Sequence, residues 1–298
     1  MSAFQHIPVL YAETLAALEL RAGAVYVDCT LGGAGHAAGI LEGSAPDGRL
    51  IGLDRDPAAL SAAHEKLAPF GERVTIVHAP FGSLRAVLAD LGVERVHGVL
   101  ADVGVSSPQL DVAERGFSFG QDGPLDMRMD TSSGETAAEL IDRLSADELA
   151  DVLYQLGEER RSRPIARSIK NAQAEGRLET TADLRAAVVR VMGPRSGKID
   201  SATRTFQALR LAVNGELDQL RALVTALPDV LHDEGVVAII SFHSLEDRIV
   251  KWAFRDDPCL TPTIKRPVTA GEAELAANPR ARTAKLRAAR RVPREVAA

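Results

Sequence analysis

A chain of 298 residues, 46% hydrophobic and 26% charged, is long enough for one large domain or two smaller ones and has the composition of an ordinary globular protein. Two distant cysteines, Cys29 and Cys259, give neither a disulfide framework nor metal-ligand spacing. The start of the chain through Val9 lacks a signal-peptide pattern, and Gly235–Phe242 is too short to span a bilayer, so a soluble, cytoplasmic protein is expected. The net charge of -6 speaks weakly against nucleic acid, but Asn278–Ala298 holds seven Lys or Arg and one Glu, about +6, leaving about -12 on the rest. That basic tail suits either phosphate contact or a solvated terminus.

In chain order, His6 and Glu13 are second-rank candidates to line a site, and Thr14 to Leu20 reads as a short helix. Val25 to Asp28 suits a buried strand, and Gly32, Gly33 and Gly35 let the following backbone turn tightly and approach a ligand. Leu50 to Asp54 is a second short apolar strand with an acid at its tip, placed to accept hydrogen bonds from ribose hydroxyls. Together they form the nucleoside-cradling half of a Rossmann-like sheet. Gly32-Gly33-Ala34-Gly35 lacks the G-x-G-x-x-G rhythm, so a nucleoside without a pyrophosphate fits better than a dinucleotide. Asp56 before Pro57 reads as a helix cap.

Val74 to His78 is a third strand, leading to Phe81, whose ring could pack against an adenine. Gly98 to Asp102 is a fourth, again ending in an acid. Asp28, Asp54 and Asp102 would line the C-terminal edge of a parallel α/β sheet, where ligands of such sheets bind. The segment from Asp102 to Asp130 reads as a long loop, with Phe117, Phe119, Met127 and Met129 forming a small hydrophobic lid or, in part, a stacking surface.

From Thr136 to about Asn214 the pattern is helical: Ala137 to Arg143, Asp147 to Leu156 behind a Ser145–Glu148 capping box, and Ala182 to Met192. Arg160, Arg163, Arg167 and Lys170 recur at intervals of three or four, and could face phosphates or solvent. In the helix Ser201 to Asn214, Arg204, Gln207, Arg210 and Asn214 fall beside an apolar face of Phe206, Leu209 and Val213. Gly235 to Phe242 resumes the sheet, His243 and Ser244 lie just past its tip, and Thr261 to Val268 suggests an edge strand. The basic run beyond Ala277 reads as an edge strand, an RNA contact, or both.

Eight stretches in series resemble the bacterial MraW/RsmH family: Asp28–His36, Ala101–Asp111, Arg115–Phe119, Pro124–Asp130, Gly157–Arg160, Ala202–Arg210, Ser241–Arg248 and Asn278–Arg280. The resemblance covers nearly the whole chain. It implies a class I, Rossmann-like S-adenosylmethionine-dependent methyltransferase sheet with an inserted all-α domain. The chain would divide into 1–110, a helical substrate-recognition insertion at 111–213, and 214–298. The reaction implied is methylation of N4 of a decoding-region cytidine in 16S ribosomal RNA, within the small ribosomal subunit. A homodimer is open, and neither a membrane nor a metal is expected.

By the same resemblance, S-adenosylmethionine would contact Ala34, Gly35, His36, Asp54, Phe81, Asp102 and Gln109; Ala34 stands where the family usually has glycine. Arg163, Arg167, Arg204 and Arg210 would hold the RNA strand flanking an unstacked cytosine. The cytosine amine is a weak nucleophile because its lone pair is delocalised into the ring. Asp102 is the expected amine acceptor, assisted by Ser106 or a backbone carbonyl, with His243 in reserve to remove the proton. Competing readings are a nicotinamide-dependent oxidoreductase, a non-catalytic RNA-binding assembly factor, and a methyltransferase acting on DNA or protein.

Overall fold

The computed structural model describes residues 8–196 and 199–293, so His6 lies outside the described residues. The chain forms two compact units, one built from residues up to Gly104 together with those from Leu217 on, the other from Val105 to Glu216.

The first unit starts with α1 (Tyr11–Ala17), β1 (Val25–Asp28), α2 (Gly35–Gly43), β2 (Arg49–Asp54), α3 (Pro57–Leu67), β3 (Val74–His78), α4 (Leu84–Asp90) and β4 (Val96–Asp102). The second contains α5 (Ser107–Asp111), α6 (Ala137–Arg143), α7 (Ala146–Gly157), α8 (Ser162–Ala174), α9 (Thr181–Met192), the two-residue pair β5 (Arg195–Ser196) and β6 (Ile199–Asp200), and α10 (Thr203–Asn214). The chain then supplies α11 (Glu216–Val230), β7 (Leu231–Ser241), α12 (Ser244–Asp256), β8 (Leu260–Pro262), α13 (Glu272–Ala277) and β9 (Lys285–Arg291).

Seven strands form one sheet in the order β3-β2-β1-β4-β7-β9-β8. The first five pair in parallel, and β9 runs antiparallel to both β7 and β8. Alternation along each strand sends side chains to two separate cores. Val25, Val27, Ile51, Leu53, Val99, Val237 and Ile239 enter one, with α4, α11 and α12. Tyr26, Leu50, Leu100, Ala238 and Ile240 enter the other, with α2 and α3. Covered on both faces, β1 from Val25 to Val27 and β4 from Gly98 to Ala101 carry no polar side chain before the acid that ends each. Two glycines leave room on the second face. A Cβ on Gly98 would lie 2.7 Å from the Tyr26 ring, and one on Gly52 would lie 2.5 Å from Leu31.

The helical unit has its own core, in which Leu140, Leu149, Leu153, Ile165, Ile169, Leu184, Phe206 and Leu209 meet. Phe117, Met127 and Met129, read from sequence as lid residues, are buried there or beside it. Buried Asn214 locks their loop: its Nδ2 donates to Met127 O at 2.7 Å and its Oδ1 accepts from Met129 N at 2.8 Å. Lys170 Nζ donates to Ile141 O at 2.8 Å, satisfying a carbonyl of the last turn of α6.

The basic C-terminal run differs most from expectation. β9 lies inside the sheet, and β8 takes the edge. The four bases of β9 are paired internally: Lys285 and Arg287 with Asp247, Arg290 with Glu19 and Glu234, and Arg291 with Asp233.

Candidate active site

Because β1, β2 and β4 are parallel neighbours, Asp28, Asp54 and Asp102 reach the same edge of the sheet. Connections leave β1 toward β2 on one side and β4 lies on the other, so the crevice sits at the switch in strand order. Short hydrogen bonds tie the three tips together. Asp102 N donates to Thr30 Oγ1 at 2.7 Å, and Thr30 N donates to Asp28 Oδ1 at 3.0 Å. Asp54 accepts from Gly32 N through Oδ2 at 2.9 Å and from Asp56 N through Oδ1 at 2.8 Å. With Arg55 N as a third donor, three of the carboxylate's four lone-pair positions are taken and one is left for a ligand hydroxyl.

The loop leaving β1 turns tightly, with Leu31 N, Gly32 N and Ala34 N bonded to Leu53 O, Asp54 Oδ2 and Leu31 O. Gly32 has φ +47° and Ala34 has φ +54°, both in the left-handed region. Ala34 is the N-cap of α2 but makes no side-chain cap, so the first-turn amides of a nine-residue helix point out with the positive end of its dipole. A Cβ on Gly35 would lie 2.3 Å from Pro8 Cγ, so only glycine fits there without displacing Pro8.

Electrostatically the crevice is acidic and poorly solvated. Burial, opposed by the Thr30 hydrogen bond and reinforced by the charges of Asp102 and Asp54, raises the Asp28 carboxyl well above the usual range. Burial likewise raises Asp54, against the pull of its backbone donors. Asp102 is pushed up to about 7, first by burial and then by the charge of Glu246. Its Oδ1 is buried and has no hydrogen-bond partner among the described residues. Its Oδ2 lies 3.9 Å from His36 Nδ1. His36 Nε2 sits 3.1 Å from the carbonyl oxygen of Val9, which can only accept, so Nε2 carries a proton and the contact orients Nδ1 toward Asp102. Tyr11 stacks on the same ring at 5.9 Å. An uncompensated acceptor of this kind favours a hydrogen-bond donor or a cation beside it.

The other expected residues are placed as follows. His243 is the N-cap of α12: its Nδ1 accepts from Glu246 N at 3.4 Å, and its Nε2 lies 3.0 Å from Glu246 Oε1. Glu246 Oε2 in return accepts from Phe242 N at 2.8 Å and His243 N at 3.2 Å, so the His243 lone pair is engaged in holding a helix start. Phe81 is 9% exposed and packs in the first core, offering little of its ring to a ligand. Ser106 and Gln109 belong to the second unit, where they cap α5 reciprocally: Ser106 N donates to Gln109 Oε1 at 3.0 Å and Gln109 N to Ser106 Oγ at 3.4 Å.

Among the arginines, Arg163 and Arg167 are exposed on α8, and exposed Arg204 donates to Glu158 O at 3.3 Å. Arg210 differs. Its guanidinium is 13% exposed and grips Glu216 with two bonds, Nε to Oε1 at 2.7 Å and Nη2 to Oε2 at 3.0 Å. Sequence reasoning passed over Thr30, which joins β1 to β4, and gave Glu246 no role of its own. The signals were present: Thr30 follows Asp28 by two residues, an Asx-turn spacing, and His243-x-x-Glu246 has capping-box spacing. No group of three potential metal ligands occurs among the described residues, and none of their helices is long and apolar enough to cross a membrane.

A parallel sheet with one reversed strand, a glycine-rich exit from β1 and an acid at the tip of β2 define a Rossmann-like, class I methyltransferase whose methyl donor is S-adenosylmethionine. The chain belongs to the MraW methylase family, whose model matches residues 3–292. It is 61% identical over 289 residues to ribosomal RNA small subunit methyltransferase H of Sorangium cellulosum, covering 97% of this chain and 91% of that one. It is 53% identical over 305 residues to the protein of the same name from Prochlorococcus marinus, covering 100% and 96%. The Geobacter sulfurreducens protein of that name is 51% identical over 311 residues, covering 97% and 99%.

Proposed function

We propose that this chain methylates the N4 exocyclic amine of a cytidine in the decoding region of 16S ribosomal RNA, acting in the cytoplasm on the small ribosomal subunit. Family membership and relatives named for small-subunit ribosomal RNA support the substrate class. The observation that carries the chemistry is Asp102 at the tip of β4, 22% exposed, with a buried Oδ1 that has no hydrogen-bond partner among the described residues and an ionisation moved up to about 7.

S-adenosylmethionine supplies a methyl group already activated on a sulfonium. The protein's task is therefore alignment, water exclusion and management of one proton. Asp54 accepts from ribose hydroxyls, and the turn through Ala34, Gly35 and His36 brings the start of α2 against the donor, with Gly32 N and Ala34 N held by Asp54 and Leu31 O. Asp102 Oδ1 accepts a hydrogen bond from the cytosine amine, localising its lone pair toward the methyl group. A carboxyl near neutrality is matched to that role, since it ionises readily yet takes a proton without a large penalty. His243 holds the start of α12 beside this edge. Phe81 supports the sheet unit from its core rather than by stacking on the donor, and Arg163, Arg167 and Arg204 of the helical unit hold the flanking RNA.

Incubating the protein and radiolabelled S-adenosylmethionine with unmodified small subunits, followed by nucleoside mapping, tests the reading. Label in N4-methylcytidine of the 16S RNA is expected, and label only in protein or in another nucleoside would sink it.

A further inference from the structure

We infer that the outer face of α12 is a second contact for single-stranded RNA, with Trp252 as a base-stacking platform and Lys251 and Arg255 as phosphate contacts. This rests on the RNA substrate proposed above. α12 is amphipathic: Glu246, Val250 and Phe254 are buried, whereas Arg248, Lys251, Trp252 and Arg255 are exposed along the opposite side. Trp252 is 43% exposed, and both Lys251 Nζ and the Arg255 guanidinium carbon lie 5.0 Å from its ring centroid. Arg255 Nε lies 4.0 Å from exposed Asp256, a separation at which a solvated pair contributes little.

An indole held open between two cations, in a chain of net charge -6, has the chemistry that sequence-tolerant single-strand binding uses: a flat ring for a base and flexible cations for the adjoining phosphates. A base sliding onto the ring displaces a cation that then meets the phosphate. The other strongly exposed aromatic lacks this surround. Tyr154 on α7 is 61% exposed but has Asp151 one turn before it. α12 also starts at the candidate site, since its cap His243 follows the tip of β7 beside β4. At the helical rise, Trp252 lies about 13 Å along the axis from that cap, within reach of the strand flanking a nucleotide held at the sheet edge.

Trp252 is the only tryptophan in the chain, so its emission reports on this face alone. Titrating the full-length protein with unmodified small-subunit RNA should quench that emission saturably, while S-adenosylmethionine alone should not. Trp252→Leu should raise KM for RNA about tenfold with kcat and donor affinity unchanged, and Trp252→Phe should restore it. Lys251→Ala with Arg255→Ala should reduce the salt slope of RNA binding by about two. RNA that binds by filter retention and is methylated without quenching, or a Trp252→Leu protein with unchanged KM, would overturn the α12 contact and leave the substrate reading standing. Emission that changes with protein concentration in the absence of RNA would assign the face to a second copy and overturn it too. RNA that neither binds nor is methylated would overturn both.

Discussion

Asp54 accepts the Gly32 amide through Oδ2 at 2.9 Å, so the carboxylate that ends the second strand positions the loop that leaves the first. The protein's own hydrogen bond therefore sets the shape of the nucleoside cradle. Asp54→Ala should lose both the proposed ribose contact and this loop anchor. Isothermal calorimetry should show donor affinity reduced by at least about tenfold, with a loss of about 1–2 kcal/mol in urea denaturation from the orphaned Gly32 and Asp56 amides. Unchanged affinity would remove Asp54 from the site.

Asp102 adds a pH dependence of defined sign. Burial, then Glu246, moves its ionisation up to about 7, so the folded protein keeps a proton that the unfolded chain releases above about pH 4. The stability contributed by this group is complete below that unfolded value and is lost as pH rises through about 7. Asp28, raised in the same direction, adds to the slope. Ligand-free protein should thus unfold at lower urea at pH 8 than at pH 6, and Asp102→Asn should reduce the difference. A cationic donor favours the ionised carboxylate. Its affinity should rise across the same range with release of a proton, read by calorimetry in buffers of different ionisation enthalpy. Affinity that falls with pH would contradict a cation at Asp102.

The left-handed Ala34 and the crowded Gly35 make opposite predictions. Ala34→Gly removes a side chain from a conformation it tolerates poorly, and should change stability by less than about 1 kcal/mol, because backbone relief is set against a lost buried methyl. Gly35→Ala drives a Cβ into Pro8 and should weaken donor binding several-fold even where the melting temperature hardly moves. Equal effects of the two substitutions on donor affinity would show that the loop adapts.

The arginines of the helical unit should separate into two kinds. Arg210 is bound on two prongs to buried Glu216, so Arg210→Ala should cost about 3 kcal/mol or more in denaturant melts by stranding a carboxylate. Arg163→Ala with Arg167→Ala should leave the melt unchanged and flatten the salt dependence of RNA binding by about two, leaving donor binding untouched. A stable Arg210→Ala protein with weakened RNA binding would return that residue to the substrate surface.

Much of the scaffold was legible locally. Apolar runs ending in Asp28, Asp54 and Asp102, the glycines after β1, and the Ser145 capping box each report a backbone preference of the residues themselves, and the elements appear within a few residues of where those patterns place them. The break between units was legible only approximately, with Ser106 and Gln109 falling in the helical unit rather than the sheet unit. The basic run was misleading for a specific reason. Lys285–Arg291 reads as free positive charge, but its partners Asp247, Asp233, Glu234 and Glu19 are 38 to 271 residues away and meet it only because β9 inserts between β7 and β8.

What the sequence determined by itself was the order of strands and helices, the glycine-rich turn and the family, because periodicity, capping and turn chemistry act over a few residues. Tertiary structure decided which charges remain available. Arg210 and the β9 bases are consumed in ion pairs, Lys251 and Arg255 flank an open indole, and Asp102 is held near neutrality. Desolvation and pairing depend on what the whole fold packs around a group, and no local pattern encodes that.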